Sequence, residues 1–253
     1  MKTFGIIPAR YASTRFPGKP LAKIQGKTMI ERVYQQASKA FEIVAVATDD
    51  ERIVQEVKRF GGTVVMTSPS HNSGTDRCAE ALVLLQEMYG ENPEVVVNIQ
   101  GDEPFVDPGL LRRLAECFEE SSVQIATVVR TFDHINDLLN PNNVKAVITP
   151  SAHALYFSRS VVPYVRGYKQ EEWLNQQTFY WHLGLYAYRT EALRQLTQLA
   201  QSPLEIAESL EQNRWLENDF YIKVIQTDQE TIAIDTPDDL EAACKWLTEN
   251  AKI

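Results

Sequence analysis

Apolar runs alternate with amphipathic segments over the first hundred residues of the chain. The runs at residues 4–7, 43–47, 63–66 and 95–99 predict buried strands. Helical spacing of apolar residues predicts helices from Thr28, after Asp49 and Asp50, and over about 76–89. Strands that are apolar without alternation are typical of a parallel sheet covered on both faces, so we expect an α/β fold.

The second half of the chain has a less regular pattern. Strands are predicted at residues 125–130, 144–148, 179–188, 221–225 and 231–234. Helices are predicted after Thr190, from a capping box at residues 202–205, and after the capping sequence 236–239. No break in composition indicates a linker, and no repeat is present. We expect a single domain over residues 1–253, with a β-rich part at about 130–225.

Composition excludes several classes of protein. The 253 residues carry 25 Lys and Arg against 34 Asp and Glu, a net charge of −9, which argues against nucleic acid as a partner. No apolar stretch reaches 18 residues, so no membrane span is expected. Cys78, Cys117 and Cys244 are too widely spaced for a cysteine zinc site or a disulfide framework, and they fit a reducing cytoplasm.

The N-terminal segment departs from this acidic composition. The first 23 residues contain no acidic residue and five basic ones, namely Lys2, Arg10, Arg15, Lys19 and Lys23. The loop at residues 8–20 follows the first strand, where backbone amides and cations can hold phosphate oxygens. It is not a Walker A loop, because Pro20 follows Lys19. A solvated basic surface loop is the alternative.

Polar segments at the ends of predicted strands supply further candidates. Residues 8–19, 67–77 and 100–107 lie where parallel sheets bind ligands. Asp102 follows the fourth strand and suits Mg²⁺ held jointly with phosphates, although ordinary turn chemistry also explains it. Asp235 stands between a strand and a helix, just before a capping Thr, and by itself this position favours a structural role over a metal ligand. Three residues of the β-rich part, able to bind a carboxylate or simply exposed, are Arg159, Arg166 and His182.

Eight motifs along nearly the whole chain resemble one family, the bacterial 3-deoxy-manno-octulosonate (KDO) cytidylyltransferases, also called CMP-KDO synthetases. The first and fourth motifs together are quite specific, and the order and spacing of all eight argue strongly against similarity by chance. The motifs are IPARYASTRFPGKPL (7–21), ATDD (47–50), SGTDR (73–77), NIQGDEPF (98–105), ALYFSRSVVPYVR (154–166), HLGLYAYR (182–189), SPLEIAESLEQNRWLE (202–217) and IDTPDDLE (234–241).

The resemblance implies a fold and an activity. The fold would be a Rossmann-like, three-layer α/β/α nucleotidyltransferase fold with a mostly parallel sheet and a smaller β-rich part for dimerisation and sugar binding. The activity would be transfer of CMP from CTP to KDO, with release of pyrophosphate, for lipopolysaccharide biosynthesis. The family leads us to expect a cytoplasmic homodimer that requires Mg²⁺.

The resemblance also implies site residues by motif match. Those expected to hold the triphosphate are Arg10, Ser13, Arg15 and Lys19. Those expected to line the cytidine site are Ala9, Ser73, Arg77 and Gln100. The metal ligands would be Asp102 and Asp235, which with Arg10 and Lys19 form the expected catalytic set. Those expected around the sugar acid are Arg159, Arg166, His182, Tyr186 and Gln212.

Other functions stay open at this point. Trp181 and Asn213 differ from the family pattern in the sugar region, which leaves room for an 8-amino analogue of KDO. A sialic-acid type of sugar is a second alternative. A metal-dependent glycosyltransferase fits less well, because Asp102-Glu103-Pro104 is not a DxD motif. A non-catalytic nucleotide-binding regulator would keep the basic loop without needing both Asp102 and Asp235.

Overall fold

The computed structural model describes residues 1–12, 16–229, 234 and 236–250. Two compact units are present. One contains Met1–Ala115 and Glu230–Ile253, and the other contains Glu116–Gln229. The expected single domain therefore stays a prediction, and the strand predicted at 231–234 lies mostly outside the described residues.

The first unit alternates strands with helices, as the sequence pattern predicts. Its strands are β1 (Thr3–Ala9), β2 (Lys23–Ile24), β3 (Lys27–Thr28), β4 (Ile43–Thr48), β5 (Thr63–Met66) and β6 (Val95–Asn98). Its helices before residue 116 are α1 (Met29–Ala37), α2 (Glu51–Arg59), α3 (Gly74–Tyr89) and α4 (Pro108–Glu116). A single turn of 3-10 helix, Lys19–Leu21, lies between β1 and β2.

The main sheet of this unit is parallel and has the order β6-β1-β4-β5. β1 pairs with β4 along one edge (Phe4 opposite Ile43) and with β6 along the other (Phe4 opposite Val96). Consecutive residues of β1, β4 and β6 are buried, and these point to opposite faces of the sheet. Both faces are therefore covered, which confirms the predicted parallel sheet of an α/β fold.

Side chains at the helix starts explain where the helices begin. The Thr28 hydroxyl and the Asp50 carboxylate cap α1 and α2 by accepting from backbone amides. α3 begins at Gly74, two residues before the predicted start, because the Ser73 hydroxyl accepts from the amide of Asp76 at 3.1 Å. α4 was not predicted. Asp107 holds its first turn by accepting from the amide of Leu110 at 2.8 Å.

The second unit combines a mixed sheet with short helices. Its strands are β7 (Ile125–Thr131), β8 (Lys145–Ile148), β9 (Ala154–Ser158), β10 (Tyr180–Arg189) and β11 (Ile222–Gln226). Its helices are α5 (Ile135–Leu139), α6 (Trp173–Gln176), α7 (Thr190–Leu196), α8 (Pro203–Glu208) and α9 (Glu211–Glu217). β10 runs antiparallel to β7 and β8, β8 runs antiparallel to β9, and β11 runs parallel to β7.

The elements of the second unit follow the prediction only in part. β9 was missed, although its five residues pair with β8. The capping box before α8 is present, with Ser202 and Glu205 bonding each other's backbone amides and Pro203 at the first helical position. After the second unit the chain returns to the first and ends in α10 (Pro237–Asn250). None of the helices in the described part of the chain is both long and apolar enough to span a bilayer.

A buried histidine lies in the core of the second unit. The hydroxyl of Thr127 donates to the carbonyl of Leu185 at 2.7 Å, so its one proton is committed. The Nε2 atom of His182, 3.0 Å from the same hydroxyl oxygen, must then be the donor of that contact. Rings of Phe157 and Tyr186 pack against the imidazole at centroid distances of 4.9 and 5.2 Å.

Burial lowers the pKa of His182 to about 3, so the imidazole is neutral at physiological pH. The Thr127 contact fixes the tautomer with the proton on Nε2, which leaves Nδ1 as an acceptor. In the unfolded chain this imidazole has an ordinary pKa near 6.5. Unfolding therefore takes up a proton at His182 between pH 6.5 and pH 3, and acid destabilises the fold through this residue.

We predict that His182→Gln reduces the acid sensitivity of folding. Glutamine can keep a donor near the Nε2 position but does not titrate. As pH falls from 6.5 towards 3, the wild type should lose up to about 1.4 kcal/mol of unfolding free energy per pH unit more than the variant. Urea unfolding at several pH values measures this difference. Parallel pH curves for the two proteins would contradict the buried, neutral state of His182.

Candidate active site

A cleft of about 280 Å³ opens in the first unit at the carboxyl ends of β1 and β6. From β1 the chain proceeds outward to β4 and β5 and then returns to the other edge of β1 as β6, so the cleft lies at the topological switch point of the sheet. The lining residues are Pro8, Ala9, Arg10, Lys19, Pro20, His71, Asn72, Ser73, Gly74, Arg77, Gln100, Gly101 and Asp102.

The cleft brings together seven residues that the sequence analysis assigned to nucleotide or metal binding. These are Ala9, Arg10, Lys19, Ser73, Arg77, Gln100 and Asp102. They come from three separate stretches of the chain, the segments predicted to meet at the strand ends. Ser13, Arg15 and Asp235 lie outside the described residues, so their assignments stay predictions.

An ion pair joins two of these stretches across the cleft. The Lys19 ammonium lies 2.7 Å from Oδ2 of Asp102, and both side chains are largely shielded from solvent. Gly18, in the left-handed conformation at φ 71°, caps the 3-10 turn that carries Lys19. The loop after β1 and the loop after β6 are thus tied by opposite charges at the cleft.

The N-terminus of α3 forms another wall of the cleft. Ser73 caps this 16-residue helix, and Gly74 is its first residue. The amides of the first turn and the helix dipole favour an anion at this end. On the opposite wall, a Cβ atom at Gly101 would lie 3.1 Å from the carbonyl oxygen of Pro8, so glycine permits the close approach of the two loops.

Arg77 lies under the cleft and is almost fully buried. Its guanidinium donates to Asp49 Oδ2 at 3.0 Å, to the Thr67 hydroxyl at 2.6 Å and to the Ser68 carbonyl at 3.4 Å. These bonds connect α3 to the turns that follow β4 and β5. The structure therefore gives Arg77 a positioning role in the loops, while its predicted contact with cytidine stays a prediction.

Arg10 lies at the cleft, and the neighbour of Asp235 in the sequence contacts the Asp102 loop. Arg10 is exposed at the cleft and makes no hydrogen bond or ion pair within the described part of the chain. The amide of Ile234 donates to the carbonyl of Asp102 at 3.0 Å. The residue that precedes Asp235 in the sequence is therefore in direct contact with the Asp102 loop.

The sequence analysis did not single out His71 or Asn72, which also line the cleft. Both fall in the polar segment 67–77, so the position of that segment after a strand was the available signal. His71 bonds through Nε2 to Glu80, which also accepts from the amide of Ser68 at 2.8 Å. Burial alone would raise the pKa of Glu80, but these hydrogen bonds hold it below its ordinary value.

Glu103, directly after Asp102, is a buried acid. Burial, together with the charge of Asp102, raises the pKa of Glu103 to about 8. The Glu103 carboxyl is thus neutral at pH 7, whereas Asp102 reaches the cleft and pairs with Lys19. Of the two adjacent acids, Asp102 is the one placed to bind a cation.

The residues predicted for the sugar acid lie in the second unit. Arg159 is half-buried and donates from Nε to the carbonyl of Glu208 at 2.7 Å. Arg166 is exposed and has no hydrogen bond or ion pair to any described residue. His182 and Tyr186 are in ring contact, and Gln212 is buried in α9. Burial raises the pKa of the Tyr186 hydroxyl well above its ordinary value, so that hydroxyl stays protonated.

The two positions that depart from the family pattern have structural partners. The Asn213 side chain is fully buried, accepts from the amide of Phe157 at 3.3 Å and donates to its carbonyl at 2.9 Å. It therefore fastens α9 to β9. The indole of Trp181 stacks on Phe132 with ring centroids 5.3 Å apart, and Arg130 lies over it at 5.0 Å.

Known cytidylyltransferases are similar to this chain over most of its length. The family model described as Cytidylyltransferase matches residues 4–232. The 3-deoxy-manno-octulosonate cytidylyltransferases of Parabacteroides distasonis and Bacteroides thetaiotaomicron are 57% and 55% identical to this chain. Each match covers 98% of this chain and 98% of the relative.

Solved structures give the same result. CMP:2-keto-3-deoxy-manno-octonic acid synthetase, solved in complex with CTP, matches with a TM-score of 0.88 and 36% identity over 98% of this chain and 99% of that chain. A 4-diphosphocytidyl-2C-methyl-D-erythritol synthase from Anaerococcus prevotii, 15% identical over 98% of this chain and 96% of that chain, shares the fold with a TM-score of 0.61. These matches confirm the predicted α/β fold with a mostly parallel sheet. The chain belongs to the 3-deoxy-manno-octulosonate cytidylyltransferase family.

Proposed function

We propose that this chain transfers CMP from CTP to KDO and releases pyrophosphate. The observation that carries the proposal is the cleft of about 280 Å³ at the switch point, which is lined by Arg10, Lys19 and the N-terminus of α3. In a member of this family, that arrangement fits the triphosphate of CTP. Activation of KDO in this way serves lipopolysaccharide biosynthesis.

The reaction needs positioning and charge neutralisation. The anomeric hydroxyl of KDO attacks the α-phosphorus of CTP and loses its proton, a new O–P bond forms, and the bond to pyrophosphate breaks. Charge builds up on the leaving pyrophosphate, where Lys19 and Arg10 stabilise it. Arg77 and the Ser73 cap hold the loops that shape the cleft before the substrate arrives.

The residues of the cleft fit Mg²⁺, which the family implies. Mg²⁺ in nucleotide sites takes one or two carboxylates together with phosphate oxygens and waters. Asp102 supplies a carboxylate at the cleft, and Asp235 follows the residue that bonds the Asp102 loop. We therefore propose Asp102 and Asp235 as its ligands. When bound, Mg²⁺ neutralises phosphate charge and polarises the α-phosphate.

Recognition of the sugar acid is proposed for the second unit. Arg159 and Arg166 provide cations for the carboxylate of KDO. His182, Tyr186 and Gln212 are proposed for its hydroxyl groups by family resemblance; all three are buried, and the neutral imidazole and the protonated phenol would add no charge there.

A cytoplasmic homodimer completes the proposal. None of Cys78, Cys117 and Cys244 forms a disulfide, which fits a reducing compartment. Large apolar side chains are exposed on the second unit, which supports its use as a subunit interface. They are Leu155, Tyr164, Ile206 and Tyr221.

The activity is tested with a panel of substrates. Purified protein with CTP, KDO and Mg²⁺ should release pyrophosphate, and ATP, GTP or UTP in place of CTP should support far lower rates. The sugar arm compares KDO with its 8-amino analogue and with a sialic acid. Equal release with all three sugars, or none with KDO, would contradict the proposed acceptor. Preference for the 8-amino analogue or the sialic acid would reassign it.

We predict that Lys19→Ala lowers kcat about 100-fold to 1,000-fold, because one cation that stabilises the leaving group is lost. Lys23→Ala is the matched control, since Lys23 is an exposed lysine of the same basic segment that does not line the cleft. The control should turn over at the wild-type rate. Similar rates for the two variants would remove Lys19 from the mechanism.

We predict that Asp102→Asn raises the Mg²⁺ concentration for half-maximal rate about tenfold or more. Asparagine keeps an oxygen that can accept from Lys19, so the variant isolates the loss of negative charge. Magnesium titration of the initial rate measures the effect. Asp133→Asn removes an exposed acid that does not line the cleft and serves as control. An unaltered Mg²⁺ response in Asp102→Asn would count against Asp102 as a ligand.

A further inference from the structure

Lys145 is a buried lysine in the second unit that the proposed reaction does not use. Its side chain is fully buried on β8. The ammonium donates to the carbonyl of Asn140 at 2.7 Å and to the carbonyl of Arg159 at 2.9 Å. A buried ammonium is costly unless it is hydrogen-bonded, so these two bonds account for how Lys145 is tolerated in the interior.

The carboxylate of Glu208, at the end of α8, holds the same arginine from another direction. Oε2 of Glu208 accepts from the amide of Arg159 at 2.9 Å, and Oε1 accepts from the hydroxyl of Ser158 at 2.6 Å. The backbone carbonyl of Glu208 accepts from Nε of Arg159 at 2.7 Å. Lys145 and Glu208 together thus fix the amide, the carbonyl and the Nε atom of Arg159.

The guanidinium of Arg159 is oriented by main-chain carbonyls. Nη1 donates to Pro141 at 3.2 Å, and Nη2 lies 3.5 Å from the carbonyl of Ser209. Pro141 follows Asn140, so the bond from Lys145 to Asn140 also holds the loop that receives Nη1. Three of the five guanidinium N–H groups point at the described backbone, and two remain for a ligand.

We propose that Lys145 and Glu208 are positioning residues that fix Arg159 for the carboxylate of the acceptor sugar acid. The inference rests on the proposed function, in which Arg159 binds that carboxylate. A mobile arginine side chain loses rotamer entropy when it binds a ligand. A side chain that is already held by hydrogen bonds to the backbone avoids most of this cost. A guanidinium held in one orientation can also offer its remaining N–H groups to the oxygens of a carboxylate.

The charges of the network are consistent with this role. Burial lowers the pKa of Lys145 to about 8, a value that still leaves the amine protonated at neutral pH. Burial would raise the pKa of Glu208, but hydrogen bonds from Ser158, Arg159 and Tyr156 hold it below its ordinary value. An ammonium and a carboxylate thus act on Arg159 at the pH at which a sugar carboxylate is ionised.

The test measures kcat and the KM of each substrate for Lys145→Met, Arg159→Ala and the double variant. Each single variant should raise the KM for KDO at least about tenfold and leave the KM for CTP unchanged. In the Arg159→Ala background, Lys145→Met should add no further increase, because its effect passes through Arg159. A lysine with a merely structural role would change both backgrounds by the same factor.

Two further comparisons keep the test independent of folding defects. Glu208→Gln retains an oxygen that accepts from Ser158 or Arg159 and should stay within about threefold of the wild-type KM for KDO, whereas Glu208→Ala should raise it. This pair decides the case if Lys145→Met does not fold. Lys223→Met, a partly exposed lysine on β11, is the control for loss of a lysine from this unit and should leave both KM values unchanged.

The outcomes separate the inference from the function on which it rests. If Arg159→Ala leaves the KM for KDO unchanged, both the role of Arg159 and its positioning by Lys145 are wrong. If Arg159→Ala raises that KM while Lys145→Met adds the same factor with and without Arg159, the positioning inference alone is overturned. A wild-type protein without activity towards KDO would instead overturn the proposed function.

Discussion

The central position of β1, paired in parallel on both edges, is the constraint on which the first unit depends. Parallel neighbours put the ends of β1 and β6 side by side, and the direction of the chain reverses between them. The loops after these two strands must therefore diverge and leave a cleft. Because α3 leads into β6, its N-terminus comes to the same edge of the sheet. One pairing pattern thus brings together a basic loop, a helix N-terminus and the acidic loop after β6, which are far apart in the sequence.

Electrostatics within this cleft explains how a chain of net charge −9 can hold a triphosphate. Cations are concentrated at the cleft, and two of them form ion pairs with acids. Lys19 is paired with Asp102, and the buried Arg77 is paired with Asp49. Such pairs tie the loops together before a ligand arrives. Arg10 is exposed at the cleft and has no hydrogen bond or ion pair to any described residue, so it is available to an anion.

Much of the first unit could be predicted from the sequence because its signals are local. Apolar runs fix β4 and β5 to within a residue, and the residues 8–19, 67–77 and 100–107 do meet at one cleft. Prediction was poorer at the starts of α3 and α4. The start of α3 at Gly74 depends on the Ser73 cap, and α4 depends on Asp107. Both capping residues are present in the sequence. The residues that follow them, Gly74 and Pro108, are poor helix formers, so the helix starts are not obvious from the pattern.

The sugar region was predicted less completely, for a different physical reason. Its residues act through partners that are distant in the chain. Arg159 is held by Lys145 and Glu208, which lie 14 and 49 residues away and carry no local signal beyond a strand and a helix. Similarly, Asn213 departs from the family pattern in sequence, but its side-chain amide has a clear structural role because it bonds the backbone of Phe157.

The same region shows how a binding surface can discriminate without many charges. His182 is neutral because it is buried, so it offers no positive charge to an acidic sugar, whereas the proposed Arg159 stays protonated at every physiological pH. An arginine that binds a carboxylate is specific only if its orientation is restricted, since a mobile guanidinium would bind anions of many shapes. The carbonyls of Pro141, Glu208 and Ser209 impose that restriction on Arg159. In the proposed role of Arg159, selectivity for a sugar acid follows from the rigidity of the backbone around it as much as from its charge.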